Sequence, residues 1–220
     1  MTNPDSANRS SGLGGMDESR RRVSIVLFDG FELLDVFGPV GLPRMLPQAF
    51  SVELVGPAPG LVRSSQGAEV VATVGYRDAK LPDIVLVPGR RGTRSLVNDA
   101  GFLEWLAAWA SDARLVTSVC TGAAGLAAAG LLDGFRATTN KRAYGWATSH
   151  GLSVEWVAQA PWVEDRSRWT SSGVAAGIDM TAALVAHLFR PEAAAAAAAA
   201  ELEIHTDAHW DPLAAANGLF

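Results

Sequence analysis

The sequence predicts an α/β fold, a three-layer sandwich in which a mainly parallel, flavodoxin-like sheet has helices on both faces. Short continuous apolar runs, such as VSIVLF at 23–28 and DIVLVPG at 83–89, support this prediction. Such runs are typical of central strands in a parallel sheet that is covered on both sides. Helical patterns separate the runs, and the alternation of strand and helix indicates a parallel α/β sheet.

The first half of the chain supplies four predicted strands and three predicted helices. The strands are expected at 23–28, 51–56, 83–89 and 114–120. The helices are expected at 33–46, at 101–113 and directly after Cys120. A small hairpin is predicted over 61–72, with Gly67 in its turn, where glycine readily accepts a positive φ.

The second half is less regular. Residues 136–140 predict a short strand that leads into a helix over KRAYGWATSHG, and 152–173 predict two short strands joined by a polar turn. A long amphipathic helix is expected at 173–190, where Pro191 marks its end, followed by a helix at 191–204 and a loop over HTDAHWDPLA.

We expect a single domain over 23–220, because no repeat or linker divides the chain. Residues 1–22 are polar, rich in glycine and serine, and without period, so they predict a disordered tail.

Composition excludes several classes of function. Hydrophobic residues make up 49% of the chain and charged residues 19%, which is typical of a globular soluble protein. The net charge of -5 comes without clustered basic residues, so no nucleic-acid partner is expected. No apolar run approaches the roughly 18 residues of a membrane span. One cysteine cannot form an internal disulfide, which favours a cytoplasmic location.

Cys120 is the first candidate for chemistry. An apolar, β-branched run ends at this residue, and an alanine-rich helical stretch begins directly after it. A sharp strand-to-helix turn at a nucleophile is the geometry of a nucleophile elbow. The first helical N–H groups would stabilise a thiolate and hold the pKa below the ~8.5 of a free thiol. The alternative is a small buried core residue, as most free cysteines are.

Asp35 and Gly89 are the next candidates, because ligands of parallel sheets bind at the carboxyl ends of the strands. Asp35 lies inside the apolar stretch LLDVFG, where a carboxylate is costly without partners. It could carry a substrate proton, or it could serve as a helix cap or a buried hydrogen-bond acceptor. Gly89 and its neighbours follow a strand and could turn backbone N–H groups toward a ligand.

No metal or other cofactor is expected. His205 and His209 have the i, i+4 spacing of a helical metal site, but no third ligand is evident. His150 is interpreted as a helix-capping residue and His187 as structural. The segment VCTGAAG lacks the lysine of a phosphate-binding loop.

Several motifs in a fixed order resemble the ThiJ/PfpI superfamily, which has the class I glutamine amidotransferase-like fold. They are DGFELLDVFGP, VPG, TSVCTGAAGLAAAGLLDGFRATTN and TSSGVAAGIDM. The similarity spans roughly 23–205 and is greatest to the isonitrile (isocyanide) hydratases. The superfamily also contains glyoxalase-like and chaperone-like proteins, proteases and sensor domains of transcription regulators, so the fold does not determine the reaction.

The resemblance implies roles for individual residues. Cys120 matches the family's nucleophile and Thr121 the residue that follows it. Asp35 matches the acidic residue that hydrogen-bonds near the nucleophile in the isonitrile hydratases. Gly89 matches the first glycine of the PGG turn, which helps to build the anion-binding backbone. We therefore expect Cys120, Asp35 and Thr121 to be catalytic.

Two positions depart from the family pattern. Arg90 replaces the second glycine of the PGG turn, and a non-glycine residue resists a positive φ. Asn140 replaces the histidine that often follows ATT, which weakens any Cys–His triad. Together with Gly89, these residues are expected to contribute to oxyanion or substrate binding, and the nucleophile is expected to rely on Asp35 and the helix terminus.

The resemblance implies a cofactor-free, cysteine-dependent hydratase or lyase that acts on a small molecule. It would convert an isonitrile to an N-substituted formamide through a Cys120 adduct. The alternatives are a glyoxalase- or deglycase-like enzyme on α-oxoaldehydes, and a non-catalytic redox or small-molecule sensor that uses the same cysteine. A homodimer is expected, because family members usually pair and Trp156, Trp162 and Trp169 offer aromatic surface.

Overall fold

A mainly parallel sheet forms the centre of the protein. The computed structural model describes residues 20–189 and 204–219. The strands are β1 (Arg21–Val26), β2 (Phe50–Gly56), β3 (Gly60–Arg63), β4 (Glu69–Ala72), β5 (Val74–Gly75), β6 (Ile84–Val87), β7 (Leu115–Val119), β8 (Arg136–Ala137), β9 (Glu155–Trp156), β10 (Trp162–Asp165) and β11 (Arg168–Ser171). The helices are α1 (Leu33–Met45), α2 (Thr93–Leu96), α3 (Ala100–Ala110), α4 (Gly122–Ala128), α5 (Tyr144–Ala147), α6 (Val174–Leu188) and α7 (Pro212–Ala216).

Seven of these strands form the main sheet in the order β10-β11-β7-β6-β1-β2-β5. Neighbouring strands are parallel except for β10 and β11, which form an antiparallel hairpin at one edge. α1 packs against α6, whereas α2 and α3 pack against α4. All four residues of β6 are buried, as expected for a strand covered on both faces. The predicted α/β class is confirmed.

Most predicted elements of the first half are found close to their predicted positions. β1 begins at Arg21, two residues earlier than expected. The predicted hairpin is β3 paired with β4, and Gly67 in its turn has a φ of 89°. Residues 1–19 of the predicted tail and 191–203 of the predicted helix lie outside the described residues.

The second half differs more from the prediction. The strand expected at 136–140 is only the two-residue β8, which pairs with β9 in a separate small sheet. The predicted terminal loop contains α7. Asp211 caps this helix by accepting a hydrogen bond from the N–H of Leu213 at 2.9 Å. Pro212 occupies the first turn, where its missing N–H costs nothing.

The tryptophans do not form the exposed aromatic surface that the sequence suggests. Trp169 is only 1% exposed, and its ring stacks on that of Trp162 with the centroids 5.8 Å apart. Trp156 packs against the main core. Trp169 therefore offers no surface for a dimer contact, and Trp156 and Trp162 are themselves partly buried.

Within residues 20–189 and 204–219, every helix falls short of the length and hydropathy that a membrane span requires.

Two leucines test how strongly the core holds this fold. Leu106 on α3 is fully buried, whereas Leu152 is 96% exposed. Leu106→Ala is expected to lower the free energy of unfolding by about 2–5 kcal/mol, because it removes buried methyl groups and leaves a cavity. Leu152→Ala is the matched control and should stay within about 0.5 kcal/mol of the wild type. Urea unfolding measures both; equal effects would contradict the packing described here.

Candidate active site

Cys120 lies at the sharp turn between β7 and α4. Its φ is 60°, a left-handed conformation that is uncommon for a residue other than glycine. The backbone on both sides is held in place. The N–H of Cys120 donates to the carbonyl of Ser171 at 3.0 Å, and its own carbonyl accepts from the hydroxyl of Thr139 at 3.0 Å. This is the strand-to-helix turn that the sequence predicts.

Asp35 lies in the first turn of α1 and is completely buried. Its Oδ2 accepts a hydrogen bond from the N–H of Gly89 at 2.9 Å. Its Oδ1 accepts no well-formed hydrogen bond from the described residues, but the thiol of Cys120 lies close enough to stabilise the carboxylate. Burial raises the pKa of Asp35 to about 7, and the Gly89 N–H only partly opposes this rise.

Gly89 lies between the helix that carries Asp35 and the turn that carries Cys120, and it contacts both. Its carbonyl accepts from the N–H of Glu32 at 3.0 Å, while its N–H donates to Asp35. A Cβ at position 89 would lie 2.9 Å from the Cβ of Cys120 and 2.7 Å from Oγ1 of Thr121. Only glycine lets the two segments approach so closely, which is the physical reason for this residue.

Thr121 and Arg90 hold the neighbouring turn in place. The N–H of Arg90 donates to Oγ1 of Thr121 at 2.8 Å, and this hydroxyl lies 2.9 Å from that of Thr93. The N–H groups of Gly89 and Arg90 are therefore already bonded within the protein, whereas the sequence suggested that they face a ligand. In this conformation the Gly89–Arg90 turn holds the side chains of Asp35 and Thr121 in position.

Asn140 occupies the position where the family pattern often has histidine, and its amide contacts Cys120. Nδ2 lies 3.2 Å from the sulfur of Cys120 and donates to it. Oδ1 accepts the N–H of Ala143 at 3.1 Å, which fixes the orientation of the amide. An amide in this orientation stabilises negative charge on the sulfur but cannot take its proton.

Lys141 is a buried cation beside the site that the sequence did not single out. Its Nζ donates to Oγ1 of Thr138 at 2.7 Å and to the carbonyl of Ala160 at 2.6 Å. Burial lowers the pKa of Lys141 to about 8. These bonds anchor the segment that carries Asn140.

Glu32 is a second residue beside the site, a polar residue that follows the first strand and for which the sequence indicates no specific role. It is only 5% exposed and forms an ion pair with Arg90, Oε2 to Nε, at 3.2 Å. Its Oε1 accepts a hydrogen bond from Gln66 in the turn of the β3–β4 hairpin. This contact depends on a long-range approach of the hairpin, for which the sequence carries no local signal.

The thiol of Cys120 is not acidic, contrary to the prediction. Burial is the largest cause, and the adjacent carboxylate of Asp35 adds to it; together they raise the pKa of Cys120 to about 12. The N–H of Thr121 and the amide of Asn140 lower the pKa as the helix-terminus argument expects, but by less. At neutral pH Cys120 is therefore a neutral thiol.

The predicted histidine pair makes separate contacts. Nδ1 of His205 lies 3.6 Å from Asp179, and Nδ1 of His209 lies 3.2 Å from Asp207. Within the part of the chain that the structure describes, no group of three or more His, Cys, Asp or Glu side chains could hold a metal ion.

Comparison with known proteins shows which family the chain belongs to. The profile of the DJ-1/PfpI family matches residues 21–187. The chain belongs to the DJ-1/PfpI family. It is 35% identical over 171 residues to the isonitrile hydratase of Pseudomonas putida, which covers 76% of this chain and 72% of that relative.

Two further relatives show how widely this family has diverged. The chain is 28% identical to the HTH-type transcriptional regulator GbdR of Pseudomonas aeruginosa over 79% of its own length and 48% of the regulator, about half. The crystal structure of a ThiJ/PfpI family protein from Pseudomonas syringae superposes with a TM-score of 0.74 at 26% identity. That match covers 90% of this chain and 84% of the other. DJ-1/PfpI relatives thus include both an enzyme and a regulator.

Asp35→Asn tests the electrostatics of the pair. The amide keeps the shape of the side chain and removes the negative charge that opposes ionisation of Cys120. We expect the pKa of the thiol to fall by about 1 unit or more, the usual size of a like-charge effect. The pH dependence of alkylation by iodoacetamide measures this. Asp29→Asn, at an exposed aspartate of the same segment, is the control, and an unchanged or higher thiol pKa in Asp35→Asn would contradict the assignment.

Proposed function

We propose that the protein is a cofactor-free, cysteine-dependent hydratase that adds water to a small isonitrile and releases an N-substituted formamide. The observation that carries the proposal is the pairing of the Cys120 thiol with a buried carboxyl group whose pKa is about 7. A group of that pKa can both accept and return a proton at neutral pH. The 35% identity to an isonitrile hydratase supports the choice of reaction.

In the first step Asp35 acts as a base and then as an acid. Its carboxylate takes the thiol proton as the sulfur attacks the terminal carbon of the isonitrile, and a carbon–sulfur bond forms. The electron pair left on that carbon then takes the proton back from the carboxylic acid of Asp35. The product is a thioimidate bound to Cys120, and Asp35 is again ionised.

Water completes the reaction in the second step. The Asp35 carboxylate accepts a proton from water as the oxygen adds to the thioimidate carbon, and it passes this proton to the substrate nitrogen. The carbon–sulfur bond of the resulting intermediate then breaks, and the sulfur leaves with its electron pair as the new hydroxyl group becomes the formamide carbonyl. Asp35 accepts the proton of that hydroxyl and gives it to the sulfur, which restores the thiol. One water is consumed for each formamide released, so no cofactor or redox change is needed.

The groups around the sulfur support this exchange. The amide of Asn140 and the N–H of Thr121 stabilise charge on the sulfur, both as it attacks and as it leaves. Such donors are most effective in a site shielded from water, and Cys120 is only 8% exposed. The two donors thus lower the barrier without making the resting thiol acidic.

A sensor function is the second candidate, supported by the 28% identity to a regulator. The redox form of this candidate fits less well, because oxidants react with the thiolate and the pKa of Cys120 is raised. A small-molecule sensor would bind an electrophile at Cys120 without releasing product.

Turnover of an aryl isonitrile by the purified protein is the direct test. We expect formamide to accumulate, Cys120→Ala to abolish it, and Asp35→Asn to lower kcat by a factor of ~10² or more, because the amide cannot carry the proton. Asn140→Asp would place a negative charge against the sulfur and should also slow the reaction.

Methylglyoxal, assayed in parallel, separates the rival enzyme activity. Lactate without formamide would favour the α-oxoaldehyde reaction. Isonitrile turnover that survives Cys120→Ala would contradict the mechanism, and a covalent adduct without turnover would favour the sensor.

We also propose a homodimer, on grounds other than the tryptophans. Leu34, Phe37 and Met45 on one side of α1 are 56%, 46% and 40% exposed. Their spacing places them on one helical face, and an exposed apolar stripe of this kind is typical of a protein interface. Because α1 also carries Asp35, an interface there would lie next to the site.

Phe37→Glu should therefore produce a monomer, since a carboxylate in an apolar interface is left without a partner. Sedimentation at tens of micromolar measures the state of association. Leu152→Glu, at an exposed leucine away from α1, should leave the dimer intact. A wild-type protein that sediments as a monomer would refute the proposal.

A further inference from the structure

Arg90 adopts a conformation that its side chain opposes. Its φ is 102°, where L side chains are strained and glycine is not. Glycine is also the residue that the family's PGG turn has at this position. Strain retained at a functional site suggests that the side chain serves a purpose there.

The guanidinium of Arg90 pairs with one carboxylate and keeps part of its hydrogen-bonding capacity. Its Nε lies 3.2 Å from the buried carboxylate of Glu32, and the side chain is 54% exposed. Within the described residues, neither of its two terminal nitrogens donates a hydrogen bond. Glu32 therefore orients the guanidinium and leaves its outer N–H groups available to a ligand.

Arg90 lies next to the turn that carries the reacting groups. The backbone N–H of Arg90 bonds to Thr121, which directly follows Cys120. Its partner Glu32 comes one helical turn before Asp35, and the positive charge of Arg90 acts on the Asp35 carboxyl. A ligand that reaches Cys120 and extends toward Arg90 would meet a preoriented cation.

We propose that Arg90 is a specificity-determining residue that binds a carboxylate on the substrate, so that the substrate class is an isonitrile bearing a carboxylate. The isonitrile part of this inference rests on the proposed function. The recognition of a carboxylate by Arg90 does not depend on it. The planar guanidinium matches a carboxylate, and its free N–H groups supply charge-assisted hydrogen bonds. The competing explanation is that Arg90 only neutralises Glu32.

Two alkylating reagents test charge recognition without any turnover. Iodoacetate and iodoacetamide react with Cys120 in the same way, with loss of iodide, but only iodoacetate carries a carboxylate. We expect the ratio of their rates, iodoacetate over iodoacetamide, to fall about tenfold in Arg90→Gln, equivalent to about 1.4 kcal/mol. Arg91→Gln, at the exposed neighbouring arginine, should leave the ratio at the wild-type value.

Two substitutions guard against a folding defect. Arg90→Gly removes the charge and relieves the positive-φ strain, so it should fold and show the same loss of ratio. Arg90→Lys keeps the positive charge, so its ratio of iodoacetate to iodoacetamide rates should lie between those of the wild type and Arg90→Gln. If Arg90→Gln and Arg90→Gly slow both reagents equally, or slow neither, Arg90 does not recognise the carboxylate and the proposal is wrong. The proposal is also wrong if the double variant Glu32→Gln/Arg90→Gln regains the wild-type ratio, because the loss would then come from repulsion by the unpaired Glu32 carboxylate.

A matched pair of isonitriles tests the substrate class. Wild-type kcat/KM for 4-isocyanobenzoate should exceed that for its methyl ester, and Arg90→Gln should remove most of this preference. Equal values for the two compounds in the wild type would overturn the substrate assignment. Absence of formamide from both would refute the proposed function instead, while the alkylation ratios still decide whether Arg90 recognises an anion.

Discussion

The contact between the buried Asp35 carboxyl and the turn at Cys120 governs the local structure of the site. Gly89 must be glycine because it lies directly against Cys120 and Thr121, where a side chain would not fit. Its N–H bonds to Asp35 and its carbonyl bonds to Glu32, both at the N-terminal end of α1. The Cys120 backbone accepts a φ of 60° because bonds from β11 and from Thr139 hold it there. Burial is the largest cause of the raised pKa at both groups, so each keeps its proton longer than it would in water.

This arrangement costs stability, and the cost depends on pH. The pKa of Asp35 is about 7 in the folded protein, whereas an unfolded aspartate titrates near 3.9. Below pH ~4 both states are protonated and there is no penalty. As the pH rises from ~4 to 7 the unfolded state gains by ionising while the folded state does not, so stability falls by an amount on the order of 4 kcal/mol at most. The large apolar core, which includes Phe31 and Trp169, offsets this cost.

The sequence located the parts of the site better than it predicted their electrostatics. An apolar run that stops at Cys120 and a carboxylate inside LLDVFG are local signals, and the strand-to-helix alternation placed both at one edge of the sheet. The sign of the Cys120 pKa shift depends on whether burial or the helix terminus dominates, and burial is a property of the packed structure. The hydrogen bond from Gln66 to Glu32 likewise depends on the approach of the β3–β4 hairpin, a long-range contact. α7 was missed although Asp211 and Pro212 form an ordinary helix start.

A neutral thiol beside a carboxyl of pKa near 7 has a consequence for selectivity. An acidic cysteine would present a standing thiolate to every oxidant and alkylating agent in its surroundings. In the mechanism proposed above, the thiolate forms when Asp35 takes the thiol proton, and this transfer becomes favourable only as the sulfur forms its bond to the substrate carbon. The amide of Asn140 assists because it can donate to the sulfur but cannot deprotonate it, as the histidine in the family pattern could. In the proposed mechanism, the asparagine at position 140 thus leaves Asp35 as the proton carrier, and the thiolate forms only when an electrophile is bound.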